Sequence, residues 1–310
     1  MTTVTQSATN RERAVRYKVA MDTTIIIETI SALPASDVEA RVERAFGWFA
    51  QVEACCSRFD PDSELSQLCD GPGQPVRVTN LLGRALAFAL AVAADSGGAF
   101  DPTIGDSMVR AGFSENYRSA ELVFPRTADR PTWQDVAFDS RRGEVTLLRR
   151  LTLDLGAVAK GLAIDLAARE LEGLEGFVIN AGGDMYASGI NADGEPWAIG
   201  IRDPRDLDVL ADTFAIGEAA VCTSGDYERT SSANPEQHHL LDPRTRASAR
   251  AAASVTVIAP TAMAADALAT AAFVLGPQDG ISFLERNGVD GLIITPDGER
   301  YETPGLEDYR

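Results

Sequence analysis

A carboxylate, a glycine and a lysine lie close together in the segment LDLGAVAKG, residues 153–161. The pattern predicts a strand that turns at Gly156 into a helix, with Lys160 near the first helical turn. The start of a helix presents unpaired N–H groups that bind anions, and Lys160 adds a positive charge at the same place. With Asp154 beside the turn, the segment suits a phosphate-bearing ligand. Taken alone, it is better explained as a glycine turn with an aspartate cap and a surface lysine.

A carboxylate and a hydroxyl stand four residues apart in the segment TAMAADALAT, residues 261–270. On a helix, Asp266 and Thr270 share one face. Two hard oxygen donors suit Mg²⁺ better than Zn²⁺. The alternative is an alanine-rich helix whose aspartate and threonine only face solvent.

The two histidines of the chain, His238 and His239, are adjacent and open the segment HHLLDPRT. A histidine in a loop ahead of Asp-Pro can act as a general base, because its pKa lies near neutral pH. A histidine that is simply hydrogen-bonded within a turn is an equally good interpretation of the sequence alone.

Two glycine-containing loops complete the polar motifs. In NAGGD (180–184), the glycines permit either close approach to a ligand or a turn with positive φ, and Asp184 either orients a ligand or belongs to the turn. In GAFDPTIG (98–105), Asp101 and Thr103 either bind a ligand or cap a turn. The sequence contains neither the P-loop pattern nor the dinucleotide fingerprint.

The 310-residue chain is acidic, with a formal net charge of −18. It has no general excess of Lys or Arg to displace counterions from phosphates, which argues against nucleic acid and anionic membranes as partners. A pyrophosphate substrate would need a local positive charge, which a bound metal ion supplies. No apolar run is long enough to predict a membrane span.

The four cysteines form no metal-ligand spacing and are expected to be free thiols in a reducing compartment; they are Cys55, Cys56, Cys69 and Cys222. The polar N-terminus lacks the apolar segment of a secretory signal. We therefore expect a cytoplasmic protein, with residues 1–14 as a disordered tail.

The elements that must position these motifs follow from hydrophobic periodicity. Ser36 or Asp37 is expected to cap the first long helix, and a short capped helix follows Phe59. The predicted long helices cover residues 36–56, 80–96, 158–172 and 261–275. Strands are predicted within 15–30 and over 144–148, 151–155, 177–180, 197–201, 219–222, 254–258 and 292–295. Because helices and strands do not alternate strictly, the predicted class is α+β with substantial sheet.

Taken together and in this order, the motifs resemble the ApbE family, the FAD:protein FMN transferases. The resemblance covers roughly residues 20–300 and rests on SRFDPDSELSQL (57–68), GAFDPTIG (98–105), DLGAVAKGLAID (154–165), NAGGDM (180–185), TSGDYER (223–229), HHLLDPRT (238–245) and TAMAADALATAAFVLG (261–276). It implies an ApbE-like, T-fold-related α+β architecture of mixed sheet and helix. Residues 15–310 would form a single domain, or two subdomains around a central FAD cleft.

The resemblance also implies the residues of the site. A Mg²⁺ ion, or Mn²⁺ in its place, would be held by the backbone carbonyl of Ala157, the carboxylate of Asp266 and the hydroxyl of Thr270. The catalytic groups would be His239, Asp266 and Lys160. FAD would be bound by Met21, Phe59, Ala99, Phe100, Asp101, Asp154, Lys160, Asn180, Gly182, Gly183, Asp184 and Leu240.

The activity implied by the resemblance is the Mg²⁺-dependent transfer of the FMN half of FAD to a Thr or Ser hydroxyl. The expected partner is an acceptor protein with a Thr/Ser motif, to which FMN becomes linked by a phosphoester bond while AMP is released. Two alternatives remain open: a Mg²⁺-dependent FAD pyrophosphatase that gives FMN and AMP, and a non-catalytic FAD-binding protein.

The chain departs from the family's pattern at three positions. Phe59 stands where many members have Tyr, which keeps an aromatic surface but removes a hydroxyl donor. Asp22 follows Met21 where a small Gly is usual, which puts the contact of this segment with FAD in question. Leu162 replaces a common Tyr. The lipoprotein leader of many members is also not found, in line with the cytoplasmic expectation.

Overall fold

The computed structural model describes residues 11–231, 234 and 236–310. The helices in these ranges are α1 (Ala35–Cys56), α2 (Glu64–Asp70), α3 (Asn80–Asp95), α4 (Gly105–Arg110), α5 (Gly156–Leu171), α6 (Ala262–Leu275) and α7 (Pro277–Arg286). The strands are β1 (Glu12–Ala20), β2 (Thr23–Ser31), β3 (Pro75–Arg77), β4 (Val136–Asp139), β5 (Glu144–Leu147), β6 (Gly176–Ala181), β7 (Asp184–Gly189), β8 (Trp197–Arg202), β9 (Leu210–Ile216), β10 (Glu218–Gly225), β11 (Ser254–Ala259), β12 (Asp290–Ile294) and β13 (Arg300–Glu302). Short 3-10 turns lie at Trp133–Asp135 and Pro304–Tyr309.

An eight-stranded antiparallel sheet organises the molecule, in the order β1-β2-β6-β7-β10-β11-β12-β13. Its strands alternate between two cores, because successive side chains of a strand point to opposite faces. Ile25 and Ile27 of β2 pack into the core that contains α1, α5 and α6, whereas Ile30 belongs to the second core. That second core is closed by the β8–β9 hairpin through residues such as Phe214 and Ile216. The α+β class predicted from the sequence is confirmed.

The first predicted strand, within residues 15–30, is in fact a hairpin. Met21 and Asp22 form a two-residue turn between β1 and β2, both with positive φ (51° and 60°). The disordered tail expected over residues 1–14 is too long, because residues 12–14 belong to β1. The register continues to the pair Glu12–Ser31, and Arg13 forms an ion pair with Glu28. The first ten residues of the expected tail lie outside the described ranges.

The periodic helices are confirmed to within a few residues, but two local predictions are wrong. Residues 151–155 form no ladder; this extended segment is held by a hydrogen bond from the Asp154 amide to the Pro102 carbonyl (2.7 Å). Helix α1 begins after Pro34, and no side chain caps it, so neither Ser36 nor Asp37 has that role. Several elements carried no clear sequence signal: β3, β4, β7, β9, β13 and α7. The single-domain organisation over 15–310 stays a prediction.

Candidate active site

The start of α5 is built around the Asp154 carboxylate. One oxygen of Asp154 accepts the Gly156 amide (2.8 Å), and the other accepts Arg58 Nε (2.6 Å). The Arg58 side chain is only 6% exposed; it stacks on the Phe59 ring at 3.9 Å and donates to the Phe113 carbonyl (2.7 Å). Asp154 therefore orients the helix and Arg58 within the protein. Sequence reasoning did not single out Arg58, since nothing in the local pattern predicts this contact.

Helices α5 and α6 approach so closely that Gly161 tolerates no side chain. A Cβ on Gly161 would lie 2.5 Å from the Ala262 carbonyl carbon and from Met263 Cα. From the same face of α5, the Asp165 carboxylate accepts the amides of Ala262 (2.6 Å) and Met263 (3.1 Å) at the start of α6. These contacts set the register of the two helices, and thereby bring Lys160 on α5 close to Asp266 on α6.

A buried charge cluster results. The Lys160 ammonium forms an ion pair with Asp184, whose side chain is 3% exposed. Burial lowers the Lys160 pKa, but the negative charges of Asp184 and Asp266 outweigh it, so that the Lys160 pKa is raised and the ammonium stays protonated. Burial, and then the charge of Asp184, raises the Asp266 pKa to about 8. The cluster thus contains one more carboxylate than it has lysines to neutralise it.

The expected metal ligands can be tested against this cluster. Asp266 Oδ2 is buried and has no hydrogen-bond partner within the described residues, which leaves a carboxylate oxygen free for a cation. Thr270, one turn later on α6, has its hydroxyl 3.3 Å from Ser224 Oγ. Ala157 departs from helical torsions (φ −87°, ψ 16°) just inside α5. A carboxylate, a hydroxyl and a carbonyl fit a hard cation such as Mg²⁺. No group of three or more His, Cys, Asp or Glu in the described part of the chain is placed to hold a metal ion, so the candidate site has Asp266 as its one carboxylate ligand.

The two adjacent histidines have different environments. His238 is buried, its Nε2 is 2.8 Å from the Ala249 carbonyl, and its ring packs edge-on against Phe273. His239 lines the cleft described below and meets Phe113 edge-on. Burial, and then the charge of Arg229, lowers the His239 pKa to about 3, so the imidazole is neutral. Only His239 is therefore placed to act on a ligand.

Most of the residues named from the sequence line one cleft, which has a volume of about 1240 Å³. Among the residues predicted to bind FAD or metal or to act in catalysis, Asp184 is the exception, because it lies behind the wall and is linked to the cleft through Lys160. Thr103 and His238, which were also considered from the sequence, do not line the cleft either. Asp101 lines the cleft, but its carboxylate accepts hydrogen bonds from Thr103 and the Trp133 amide. The other cleft-lining residues among those predicted are Met21, Phe59, Ala99, Phe100, Asp154, Ala157, Lys160, Asn180, Gly182, Gly183, His239, Leu240, Asp266 and Thr270.

Two hairpin turns meet at one end of the cleft. The turn between β6 and β7 is made by Gly182 and Gly183, with φ of 65° and 104°, and Asn180 Oδ1 accepts the Gly183 amide (2.9 Å). A Cβ on Gly182 would clash with the Thr23 hydroxyl at the start of β2, whereas a Cβ on Gly183 would meet nothing within 4 Å. Both glycines thus permit the backbone conformation of the turn, and Gly182 also permits the close approach to β2.

Among the acids of the cleft that the sequence did not single out, Glu228 and Glu53 have the clearest interactions. Glu228 ends the segment DYE of the TSGDYER stretch; burial raises its pKa to about 7, against the opposing charge of Lys160. Glu53 lies on α1 and bonds to both sides of the cleft mouth. The position of Glu228 within a matching stretch was a usable signal, whereas Glu53 belongs to none of the motifs.

The fold and the cleft define the class: an α+β protein in which a deep pocket contains a protonated lysine, a buried carboxylate with a free oxygen and a neutral histidine, as in an enzyme that acts on an anionic substrate. The chain belongs to the ApbE family, which it matches over residues 21–293.

Individual relatives agree with this assignment. The FAD:protein FMN transferase of Treponema pallidum is 32% identical over 318 aligned positions, which cover 94% of this chain and 87% of that protein. The crystal structure of the ApbE protein of Thermotoga maritima superposes with a TM-score of 0.85 at 30% identity, covering 96% of this chain and 99% of that one. The flavin transferase ApbE of Vibrio cholerae gives 0.84 at 26% identity, covering 97% and 100%.

No helix in the described ranges is long and apolar enough to cross a membrane. All four cysteines are buried and free, as the sequence predicts.

Proposed function

We propose that this chain transfers the FMN half of FAD to a Thr or Ser hydroxyl of an acceptor protein, with Mg²⁺ as its metal and AMP as the product released. The observation that carries the proposal is the meeting of Lys160 and Asp266 at one cleft, with a carboxylate oxygen of Asp266 left unpaired. Membership of the ApbE family and the names of its relatives support the substrate and the reaction class.

The metal would be held by Asp266, Thr270 and the carbonyl of Ala157. When bound, Mg²⁺ supplies positive charge that neutralises the phosphate oxygens of FAD; Mn²⁺ prefers the same oxygen donors and could replace it. Burial and the charge of Asp184 raise the Asp266 pKa, so the carboxyl group holds its proton near neutral pH when no cation is bound. A cation bound there would favour the ionised carboxylate and would add positive charge for a pyrophosphate.

Lys160 would stabilise the negative charge that develops on the phosphoryl group during transfer. Its pairing with buried Asp184 keeps it protonated and fixes its direction, so little reorganisation is needed when charge develops. Asp184 thus takes a supporting role in place of the direct FAD contact expected from the sequence. We assign similar supporting roles to Asp154 and Asp101, whose carboxylates are engaged by protein donors.

The acceptor hydroxyl is a weak nucleophile and gains from a base. In the proposed step, its oxygen forms a bond to the phosphorus on the FMN side of FAD. The bond from that phosphorus to the bridging oxygen breaks, and AMP leaves with the electron pair. His239 lines the cleft and its Nδ1 has no hydrogen-bond partner among the described residues, so it is our candidate to accept the hydroxyl proton. The aromatic ring of Phe59, which lines the cleft, offers a surface for the flavin or adenine ring.

Mass spectrometry of an acceptor domain, incubated with the protein, FAD and Mg²⁺, tests the proposal. The expected product is an acceptor whose mass has risen by one FMN phosphoester, with one AMP released for each. Asp266→Asn should lower the rate at least about a hundredfold while the protein stays folded. The exposed Asp297→Asn is the matched control and should retain full activity. Full activity of Asp266→Asn would refute the metal site, and AMP released without any adduct would favour the pyrophosphatase.

We also propose a cytoplasmic location. It is supported by four buried thiols that stay unpaired, as is usual in a reducing compartment. Fractionation of the native organism's cells, probed with an antibody to this protein, checks it: recovery in the membrane or extracellular fraction would contradict the proposal.

A further inference from the structure

Two separate segments form the mouth of the cleft. One rim is the β1–β2 turn at Met21 and Asp22, and the other is the loop 113–118. They are distant in sequence and belong to different parts of the fold, so no local stretch of chain fixes the separation between the two rims. Glu53, which α1 places between the two rims, contacts both.

The Glu53 carboxylate uses both of its oxygens for this. Oε1 accepts the hydroxyl of Tyr117 (2.6 Å), and Oε2 accepts the backbone amide of Met21 (3.2 Å). Arg118 adds an ion pair to Oε2 and donates from Nε to the Tyr117 hydroxyl (2.8 Å). A single carboxylate thus joins a strained turn to a loop tyrosine and a loop arginine.

The hydrogen-bond network around Glu53 is partly exposed to solvent. The Glu53 side chain is 14% exposed, whereas that of Arg118 is 58% exposed, so the network lies where the cleft opens to water. Such bonds are modest in energy, and they order a loop more than they stabilise the whole fold. The same loop also reaches the aromatic wall, because Asn116 Nδ2 donates to the Phe59 carbonyl (3.3 Å).

We propose that Glu53 is a positioning residue, which holds both rims of the cleft at the separation that FAD binding requires. The inference rests on the proposed function for the identity of the ligand. Glu53 touches no reacting atom, so its loss should weaken FAD binding and leave the rate at saturating FAD unchanged. Loss of a catalytic residue would instead lower the rate at saturating FAD and leave FAD binding nearly unchanged.

The test compares Glu53→Gln and Glu53→Ala with the wild-type protein. Glu53→Ala should raise the Kd for FAD, followed by flavin fluorescence in the presence of Mg²⁺, about tenfold, since it removes a charge-assisted network. Glu53→Gln retains some hydrogen bonds and should lie in between. Glu43→Gln is the matched control, because Glu43 lies on the same helix and pairs with Lys18 away from the cleft (3.8 Å). An unchanged Kd in Glu53→Ala would overturn the proposal.

Hydrogen–deuterium exchange separates this proposal from the proposed function. Without any ligand, the amides of residues 113–118 should exchange faster in Glu53→Ala than in the wild type or in Glu43→Gln. If the loop exchanges faster but the wild-type protein binds no FAD, the proposed function fails and the contact between the rims stands. If exchange in the loop is unchanged, the role given to Glu53 is wrong, whatever the protein binds.

Discussion

Gly161 on α5 lies directly against the backbone of Ala262 at the first turn of α6, with no room between them for a methyl group. This contact determines how far Lys160, one residue before the glycine, stands from Asp266, four residues after the alanine. The geometry of the charge cluster thus depends on the absence of a side chain at position 161.

Gly161→Ala should therefore damage both stability and activity. Overpacking of this kind costs about 1–3 kcal/mol, and the displaced helices would separate Lys160 from Asp266. Thermal unfolding and the rate of FMN transfer measure the two effects. Gly47→Ala is the control, because a Cβ at position 47 of α1 meets only Gln51 Nε2, at 3.9 Å. That variant should be more stable by about 0.5–1 kcal/mol; a fully active and stable Gly161→Ala would contradict the account.

The adjacent histidines should respond differently to replacement. His238→Ala removes a buried ring and its bond to Ala249, so it should lower the unfolding temperature. His239→Ala should leave stability nearly unchanged and lower kcat by about 10²–10⁴-fold. Differential scanning calorimetry and steady-state kinetics on both variants decide the matter. Equal kinetic losses in the two variants would argue against His239 as the base.

The pH dependence of stability should contain a contribution from Asp165. Burial raises its folded pKa from 3.8 to about 6, although the amides of Ala262 and Met263 oppose the shift. The folded chain thus holds this proton more tightly than the unfolded chain. Its contribution to stability is fully present below about pH 4 and is lost as the pH rises through about 6.

Urea unfolding of the wild type and of Asp165→Asn between pH 4 and pH 7 measures this contribution. The free energy of unfolding of the wild type should fall, relative to the variant, as the pH rises across that window, and then become level. Replacing the exposed Asp193 in the same way gives a reference. A difference between Asp165→Asn and wild type that does not vary with pH would show that Asp165 keeps an ordinary pKa.

The β1–β2 turn should gain stability from a glycine. Asp22 adopts φ of 60°, a conformation that a residue with a side chain adopts at a cost, and two-residue hairpin turns favour glycine there. Asp22→Gly should raise the free energy of unfolding by about 0.5–1 kcal/mol. Urea denaturation checks the prediction. Thr24→Gly, on the exposed part of β2, should instead destabilise the hairpin.

The local conformation of the motifs could be predicted from the sequence, whereas their assembly into one site was implied only by the family resemblance. The helix that contains Asp266 and Thr270 was expected from its local sequence, and the turn at Gly156 follows from its glycine. The segment NAGGD likewise indicated a turn with positive φ, and Gly182 and Gly183 have it. Turns and helices of this kind depend on residues that are neighbours in the chain, so the sequence alone predicts them.

Contacts between distant segments could not be predicted. Arg58 and Asp154 are 96 positions apart, and no local pattern indicates that they meet. The same holds for Glu53 and Tyr117. The family resemblance implied that Asp184 lines the cleft, but the alternation of β7 turns its side chain toward Lys160 instead. The missed strand β9 mixes polar and apolar residues, and its two buried side chains, Phe214 and Ile216, are recognisable only once β8 lies beside it.

The order of the large sheet also affects how the chain reaches its fold. The β1–β2 hairpin forms from neighbouring residues, but its next partner is β6, where Ile25 pairs with Ala181. Within the described residues, the long stretch between β2 and β6 adds no strand to this sheet. During synthesis on the ribosome, the edge of β2 that pairs with β6 therefore stays unpaired until more than half of the chain has been made. Refolding from denaturant should accordingly be slow and sensitive to protein concentration, whatever the final stability.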